Sequence, residues 1–387
     1  MFARRVDEIK PFRVMEVLER AAFYESQGLR VVHFEVGEPD FDTAKPIIDA
    51  GRRALDEGKT KYTPATGIPE LRAAIVRHYA GLGVEIDAAR IAVTSGASAG
   101  LTLLAALLLD PGDELLITDP GYPCNEVFAR LVGAQPRTIP LGANQRFQPV
   151  VDDVRAHWTA ATKGILLASP ANPTGTMLPR LALAEIAAEV RTRHGFFILD
   201  EIYQGLTTHA EYDSGLQVAD DLYILNSFSK YFGMTGWRLG WLVVPAAAVS
   251  AITKLAQNLF ISPSAPAQYA AVAAFSDAAM QVHATRAATF VQREQRLRAG
   301  LTDLGFSIPV APDGAFYLYV DVSHTGLSGA DFCWRLLDEC QVAVTPGEDF
   351  GTHDHDRYVR FAFTTDEDSI ELGLQRIAAA LPAWGVC

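Results

Sequence analysis

Residues 226–240 read NSFSKYFGMTGWRLG and lie between two apolar runs, LYIL before them and WLVV after them. The stretch holds a single lysine, Lys230, which follows Ser227 and precedes Arg238 by eight residues. Burying the ammonium of a lysine between two strands costs free energy, so burial favours the neutral amine. A free amine can form a Schiff base with an aldehyde, while Ser227 and Arg238 would suit a phosphate. An amine beside a phosphate cradle indicates pyridoxal 5′-phosphate, and an ordinary surface lysine is the alternative.

This stretch resembles the lysine region of the class I and II aminotransferases, which are fold-type I pyridoxal-phosphate enzymes. The shared pattern is S-x-S-K followed eight residues later by the arginine of G-x-R-x-G. The resemblance implies that Lys230 is the catalytic residue, which holds the cofactor as a Schiff base and transfers the substrate proton. It also implies that Ser227 and Arg238 bind the cofactor.

Two apolar runs upstream predict buried strands that end in polar residues. The run FFIL at 196–199 leads into Asp200, and a carboxylate at the end of a buried strand needs a cationic or donor partner. A protonated pyridine nitrogen is such a partner. The resemblance implies that Tyr203 donates to the cofactor's phenolic oxygen. It also implies that Asn172, in the turn ANPTG, contacts both the cofactor and the substrate carboxylate.

A turn of small residues, Gly96, Ala97 and Ser98, separates a predicted strand from a predicted helix. The first N–H groups of a helix attract anions, although tight turns of this kind are often only structural. The turn is not a Walker loop and lacks the glycine spacing of a dinucleotide site. The resemblance implies that it binds the cofactor phosphate, and that Tyr122, in DPGYP, lies over the pyridine ring.

The substrate carboxylate is implied to bind at Gly37 and Arg360, in addition to Asn172. Gly37 opens the turn GEPDF, and Arg360 is the one charge in the apolar run YVRFAF. A planar guanidinium matches a carboxylate through two parallel hydrogen bonds. A turn with no role and a surface arginine at a strand edge are the alternatives.

The identity of the substrate side chain is not decided by these motifs. Some aspartate-using relatives have a lysine where this chain has Ser98, which weakens the case for an acidic substrate by that route. Three aromatic residues, Phe23, Tyr24 and Phe260, permit an apolar pocket.

Tyr62 opens the pattern Y-x-x-x-x-G-x-x-E-L-R. In the resembling family the tyrosine of this segment reaches the phosphate in the neighbouring subunit. The resemblance therefore implies a homodimer in which Tyr62 completes the partner's site. An exposed turn tyrosine without such a role is an equally good interpretation of the residues alone.

The composition and net charge of the chain exclude some classes of protein. The chain has 387 residues, a formal net charge of -13 and four cysteines without metal-ligand spacing. The negative charge argues against a general surface for nucleic acid or anionic membranes. We expect no metal site, no membrane span and a cytoplasmic location, because few cysteines fit a reducing compartment and the start lacks an apolar signal core.

Alternating strands and helices between residues 91 and 244 predict an α/β fold. The resemblance implies a large domain with a mostly parallel seven-stranded sheet between helices, and a smaller α+β C-terminal domain. We place the N-terminal arm and helix, which join the small domain, at residues 1–40. The cofactor-binding domain covers residues 41–285 and the small domain residues 286–387.

The resulting hypothesis is a pyridoxal-phosphate-dependent aminotransferase that moves an amino group from an L-amino acid to a 2-oxo acid with ping-pong kinetics. The nearest alternative is a β-lyase or another fold-type I enzyme, because the shared residues do not separate these reactions. A nicotinamide oxidoreductase would need G-x-G-x-x-G after a strand, which is missing. A regulatory protein would need a fused DNA-binding segment, and residues 1–30 are too short for one.

Overall fold

The computed structural model describes residues 2–208 and 210–385. The helices are α1 Arg13–Ser26, α2 Lys45–Asp56, α3 Pro69–Gly81, α4 Ala97–Leu108, α5 Cys124–Leu131, α6 Val151–His157, α7 Arg180–Thr192, α8 Val249–Leu259, α9 Ala265–Val272, α10 Asp277–Asp303, α11 Gly329–Cys340 and α12 Glu367–Ala380. The strands are β1 Val32–His33, β2 Ile91–Thr94, β3 Glu114–Asp119, β4 Gln135–Pro140, β5 Thr162–Ala168, β6 Phe196–Asp200, β7 Tyr223–Ser227, β8 Gly240–Val243, β9 Tyr317–Asp321, β10 Val342–Ala343, β11 Thr345–Pro346 and β12 Tyr358–Ala362.

Seven strands form the main sheet in the order β2-β8-β7-β6-β5-β3-β4. Only β8 runs antiparallel to its neighbours, and the other pairs are parallel. Parallel strands between helices are buried on both faces, so they are built from continuous apolar runs. The predicted fold class, a mostly parallel seven-stranded sheet between helices, is confirmed.

Alternate residues of each strand point to opposite faces of the sheet, and each face has its own core. In β5, Ile165 and Leu167 pack in the core that contains residues of α3, α7 and α9. Leu166, between them, packs in the core that contains residues of α4 and α8. Because all strands of this sheet except β8 run in the same direction, their carboxyl ends lie at the same edge, where ligands bind in open α/β folds.

A second unit combines the start of the chain with its end. Strand β1 pairs with β10, while β11, β12 and β9 form an antiparallel sheet. Val17 and Ala21 of α1 share one apolar core with residues of β9, α11 and α12. This is the smaller α+β unit that was predicted. The domain limits at residues 40 and 285 stay a prediction.

The sequence pattern predicts a strand at residues 306–310 and a long helix at residues 285–301 that joins the two domains, and the structure differs at both. Residues 306–310 do not form a strand, and only Ser307 makes an isolated bridge, to Asp321. Pro309 lacks the N–H that a strand ladder requires. The predicted helix begins eight residues before 285, at Asp277, because the Oγ of Ser276 accepts a hydrogen bond from the N–H of Ala279 and caps the helix there. No helix among residues 2–208 and 210–385 is long and apolar enough to cross a membrane.

Candidate active site

A cavity of about 290 Å³ lies at the carboxyl edge of the main sheet, between it and the smaller unit. Most of the residues that the sequence singled out line it: Gly37, Ala97, Ser98, Tyr122, Asn172, Asp200, Tyr203, Ser227, Lys230, Arg238 and Arg360. Gly96 is not itself a lining residue, but it directly precedes Ala97, which is one. Residues separated by up to 323 positions, from Gly37 to Arg360, therefore meet in one place. The parallel strands of the main sheet end at one edge, and the smaller unit brings Gly37 and Arg360 to that edge.

Lys230 follows the end of β7 and reaches the cavity on a firmly anchored turn. Phe228, which is fully buried, packs against Trp241 with ring centroids 4.9 Å apart, and Thr235 Oγ1 donates a hydrogen bond to Ser229 O at 2.9 Å. The Lys230 Nζ donates a hydrogen bond of 2.6 Å to Gly37 O. These contacts fix the amine at the junction between the sheet and the smaller unit.

The amine of Lys230 is easily deprotonated. Burial lowers the pKa of Lys230 from 10.5 to about 8, and the charges of Arg360 and Arg238 act in the same direction. Glu38 and Asp200 oppose this change. Near neutral pH a useful fraction of the lysine is therefore a free amine, which is both a nucleophile and a base.

Asp200 ends β6 on the floor of the cavity, where its side chain is buried. Its Oδ1 accepts a hydrogen bond from the N–H of Ile202 at 3.0 Å. Burial raises the pKa of Asp200 from 3.8 to about 7, against the opposing charge of Lys230. A carboxylate in this environment gains from a cation placed against it, and a protonated heterocyclic nitrogen provides one.

Gly96 caps α4 with a φ of 83°, a conformation that L side chains rarely adopt. A Cβ at Gly96 would lie 2.7 Å from Arg238 Nη2. Arg238 itself is held by a hydrogen bond of 3.0 Å from its Nη1 to Thr235 O. The guanidinium thus lies directly over the helix start, where it adds its charge to the exposed N–H groups. Together they form a cradle for a doubly charged anion.

Arg360 crosses the other wall of the cavity from β12. Its guanidinium donates to three neutral acceptors, Asn172 Oδ1 at 2.9 Å, Glu35 O at 2.6 Å and Thr345 Oγ1 at 3.1 Å. Among the described residues it makes no salt bridge, and its Nε has no hydrogen-bond partner. A buried guanidinium that is held by neutral acceptors and makes no salt bridge is suited to bind a carboxylate.

Sequence reasoning missed Tyr317, which links the two units at the site. Its hydroxyl is 2.8 Å from the hydroxyl of Tyr203, and its ring lies 4.3 Å from the guanidinium carbon of Arg360. A Cβ at Gly37 would collide with the Tyr317 hydroxyl, which explains the glycine. The pattern FYLYV at residues 316–320 is typical of a strand, but it does not show that Tyr317 lies next to Tyr203.

The apolar wall of the cavity also differs from the prediction. Phe12, Val14 and Leu18, at and near the start of α1, line the cavity. None of the aromatic residues expected there does so: Phe23 is 55% exposed, Tyr24 donates a hydrogen bond to Asp338, and Phe260 is 36% exposed. The helical pattern predicted α1, but its position over the cavity depends on tertiary contacts.

Tyr62 does not reach the cavity of its own chain, and its side chain is 83% exposed. Within the described ranges, no group of three or more His, Cys, Asp or Glu side chains could hold a metal ion. Cys387 lies outside the described residues, and Cys124, Cys333 and Cys340 are free thiols.

The donor set fits pyridoxal 5′-phosphate. The cavity wall holds an amine with a lowered pKa, a buried carboxylate with a raised pKa, a helix start beside an arginine, and a tyrosine. These groups suit the four parts of that molecule, namely its aldehyde, ring nitrogen, phosphate and ring face. The tight space at Gly96 is what a phosphate cradle requires, because a side chain there would displace Arg238.

Comparison with known proteins agrees with this geometry. The model of the family "Aminotransferase class I and II" matches residues 30–377. The chain is 36% identical to a valine–pyruvate aminotransferase of Mycobacterium tuberculosis, over 97% of each chain, and 36% identical to a (5-formylfuran-3-yl)methyl phosphate transaminase of Methanocaldococcus jannaschii, over 97% of this chain and 98% of that one. An aspartate aminotransferase of Pyrococcus horikoshii is 35% identical over 98% of this chain and 97% of its own.

Solved structures give the same result. A crystal structure of an aminotransferase from Mycobacterium tuberculosis superposes with a TM-score of 0.95 at 36% identity, over 99% of both chains. Thermus thermophilus aspartate aminotransferase with maleate superposes with a TM-score of 0.92 at 33% identity, over 98% of this chain and 99% of that one. The chain therefore belongs to the class I and II aminotransferase family and is a pyridoxal-phosphate-dependent transaminase.

Proposed function

We propose that Lys230 is the residue that both holds the cofactor and moves the substrate proton, as an amino group passes from an L-amino acid to a 2-oxo acid. One observation supports this proposal: the amine with a pKa of about 8 shares a cavity with a guanidinium that makes no salt bridge among the described residues. A base with a pKa near the working pH is the most effective for proton transfer.

Arg360 is the proposed site for the substrate α-carboxylate. Asn172, Glu35 O and Thr345 fix the orientation of the guanidinium without cancelling its charge. A carboxylate bound there is held by charge-assisted hydrogen bonds, which are about twice as strong as neutral ones. Its position relative to Lys230 then determines which bond at the substrate Cα faces the amine.

The remaining site residues have proposed roles towards the cofactor. When bound, pyridoxal 5′-phosphate supplies an aldehyde and a ring that withdraws electrons from the substrate Cα. Asp200 would keep the ring nitrogen protonated, and Tyr203, held by Tyr317, would donate to the phenolic oxygen. Gly96, Ala97, Ser98, Ser227 and Arg238 would bind the phosphate, and Tyr122 would cover the ring.

Both substrates bind in turn at the same guanidinium, that of Arg360. The amino acid binds at Arg360 and leaves as a 2-oxo acid, and a second 2-oxo acid then binds at the same guanidinium. One site that serves two substrates successively gives ping-pong kinetics. The Lys230 Nζ removes the Cα proton in the first half-reaction and returns one in the second.

The proposed unit is a homodimer in which Tyr62 reaches the partner's phosphate site. Gln268 holds the loop of Tyr62 in place, because its side chain bonds Thr63 Oγ1 at 2.9 Å, Pro263 O at 3.1 Å and the N–H of Ile68 at 2.8 Å. Exposed apolar side chains occur in the segment that leads to Pro263, where Leu259 and Ile261 are 51% and 54% exposed. An ordered tyrosine loop beside exposed apolar residues supports a subunit interface here.

A cytoplasmic location is also proposed. Its support is the chemistry of the cysteines, because three free thiols in the described residues fit a reducing compartment. Cell fractionation with an antibody against the native protein tests this location directly.

A single-turnover experiment tests the reaction. Holoenzyme is mixed with one amino acid at a time, and the 2-oxo acid and ammonia are measured per subunit. We expect one equivalent of 2-oxo acid per subunit, no ammonia, and further turnover only after a second 2-oxo acid is added. Continuous release of ammonia from a single substrate would instead indicate a lyase.

A further inference from the structure

The segment at residues 37–43 leads from the smaller unit to α2, which packs on the main sheet. Both of its ends are bonded to the turn that carries the reactive amine. Gly37 O accepts a hydrogen bond of 2.6 Å from Lys230 Nζ, and Thr43 Oγ1 donates one of 2.8 Å to Gly233 O. Among the described residues, those between the two ends make no backbone hydrogen bond. The middle of the segment is therefore held by side-chain contacts.

A salt bridge with two parallel hydrogen bonds joins the middle of this segment to α10. Arg293 Nη1 donates to Asp40 Oδ1 at 2.7 Å, and Arg293 Nη2 donates to Asp40 Oδ2 at 2.9 Å. The arginine side chain is 6% exposed and the aspartate side chain 28%. Paired bonds between a planar guanidinium and a carboxylate fix both the distance and the angle between the two groups. Within the described ranges, no other salt bridge joins the segment to α10.

Phe41, the next residue of the segment, contacts the same face of α10. Its ring centroid lies 5.0 Å from the guanidinium carbon of Arg293, 5.1 Å from that of Arg286 and 5.5 Å from the ring centroid of Phe290. Helix positions three or four residues apart share one face, and arginines over an aromatic ring attract it. One continuous surface of α10 therefore receives two consecutive residues of the segment.

The helix itself is a firm support, because it is anchored in both units. Near its start, Ala279 packs in a core of the main sheet. Further along, Phe290, Leu297 and Leu301 pack in the core of the smaller unit. A segment bound to this helix is thus held in register with both walls of the cavity.

Arg360 does not depend on this surface. Its Nη2 donates to Glu35 O at 2.6 Å, and Thr364 Oγ1 donates to Val36 O at 2.8 Å. These bonds precede Gly37 in the chain and fix the backbone to the smaller unit without α10. A change at Arg293 should therefore displace the carbonyl of Gly37 and leave the guanidinium of Arg360 in place.

We propose that Arg293 is a positioning residue, which holds the Gly37 carbonyl against the amine of Lys230 through its salt bridge with Asp40. When one N–H of the amine is bonded to this carbonyl, the directions open to the nitrogen lone pair are limited. An amine held in a reactive orientation attacks faster than one that rotates freely. The inference rests on the proposed role of Lys230 in holding the cofactor.

Cofactor capture by the apoprotein tests this role without turnover. The amine attacks the aldehyde carbon, a C=N bond replaces the C=O bond, and the aldehyde oxygen leaves as water with the two hydrogens of the amine. Stopped-flow absorbance gives a rate that reaches a plateau as pyridoxal 5′-phosphate increases. The plateau reports bond formation and the half-saturating concentration reports the preceding binding. In Arg293→Met, at a pH where Lys230 is neutral, we expect a plateau about tenfold lower or less and a half-saturating concentration within about threefold of the native value.

The matched control is Arg90→Met. Arg90 is 9% exposed and forms a salt bridge with Asp220, but it precedes β2 at the end away from the cavity and does not line it. Its loss should leave the plateau unchanged. Asp40→Asn should lower the plateau as well. If the pair acts as a unit, the double variant should be no slower than Arg293→Met alone.

Three results would overturn the inference. One is a folded Arg293→Met or Asp40→Asn apoprotein, checked by thermal melting, with the native plateau. Another is an equal loss in Arg90→Met, which would show a general effect of removing a buried arginine. The third is a change in the half-saturating concentration alone, which would assign Arg293 to the binding step. If the native apoprotein forms no bond between Lys230 and the aldehyde, it is the proposed function that fails.

Discussion

The chemistry of Lys230 depends on where its neighbours place their charges. A surface lysine is protonated at neutral pH, whereas this one lies beside two guanidinium groups in a site of low polarity. Burial and the charge of Arg360 both favour the neutral amine, and the hydrogen bond to Gly37 O orients it. The arginine proposed to bind the substrate therefore also activates the lysine.

The first prediction concerns the pH dependence of cofactor capture by the apoprotein. Raising the pH converts the ammonium of Lys230 to the amine, so the rate should rise with pH and reach half its maximum near pH 8 rather than near 10.5. Arg360→Gln removes a nearby positive charge and should move this midpoint upward. Stopped-flow absorbance after mixing with pyridoxal 5′-phosphate measures both. A midpoint that is the same in Arg360→Gln, or that moves equally in the exposed control Arg357→Gln, contradicts the proposed coupling.

Residues that end an apolar run could be predicted from the sequence, and residues that enter the site from its side could not. Asn172, Asp200 and Lys230 follow buried strands, so a polar residue there is conspicuous. Tyr317 lies in β9 of the smaller unit and enters the cavity from that side. Its place in the cavity depends on how the two units pack, which no local pattern encodes.

Among the elements, apolar runs predicted the buried strands of both units, and the pattern failed at one exposed edge strand and at residues 306–310. Strand β4, QPRTIP, lies at the edge of the main sheet and is largely exposed, so it lacks an apolar run and was not predicted. Residues 306–310 have apolar character but only one isolated bridge. Fold class followed from the central strands, whose composition is fixed by burial.

The start of α4 provides the second prediction. Gly96→Ala and Gly112→Ala both place a side chain at positive φ, 83° and 92° respectively, so each should lower the free energy of unfolding by about 1 kcal/mol. Only at Gly96 would the new Cβ meet Arg238, because nothing lies within 4 Å of a Cβ at Gly112. We expect cofactor affinity to fall at least tenfold in Gly96→Ala alone. Thermal melting of the apoprotein and a cofactor titration measure the two effects. Equal affinities in the two variants would show that the phosphate does not bind at this helix start.

For the whole molecule, the question is whether one chain contains a complete site. Within a single chain the cavity holds the amine, the carboxylate and both arginines, while Tyr62 lies outside it and exposed. Sequence patterns describe one chain and give no position for a residue supplied by another. The resemblance was therefore the only source of the expectation that Tyr62 acts across an interface.

The third prediction is that hybrid dimers of two inactive or weakly binding variants recover cofactor affinity and activity. Lys230→Ala should be inactive and Tyr62→Ala should bind the cofactor weakly. After unfolding and joint refolding, a hybrid has one site that contains both Lys230 and a partner's Tyr62. We expect a fraction of sites with native cofactor affinity and activity, measured by titration and turnover of the mixture. If Tyr62 acts within its own chain or not at all, the mixture will behave as the sum of its parents.

The most direct test of the central claim is to identify the lysine that carries the cofactor. Borohydride converts the bond between an amine and the cofactor aldehyde into a stable one, and mass spectrometry of the digested protein locates it. We expect the pyridoxyl group on Lys230 and on none of the other lysines, with loss of the label when an amino acid substrate is added before reduction. A pyridoxyl group on a different lysine, or a fully loaded protein with no label at Lys230, would contradict the proposed role of Lys230.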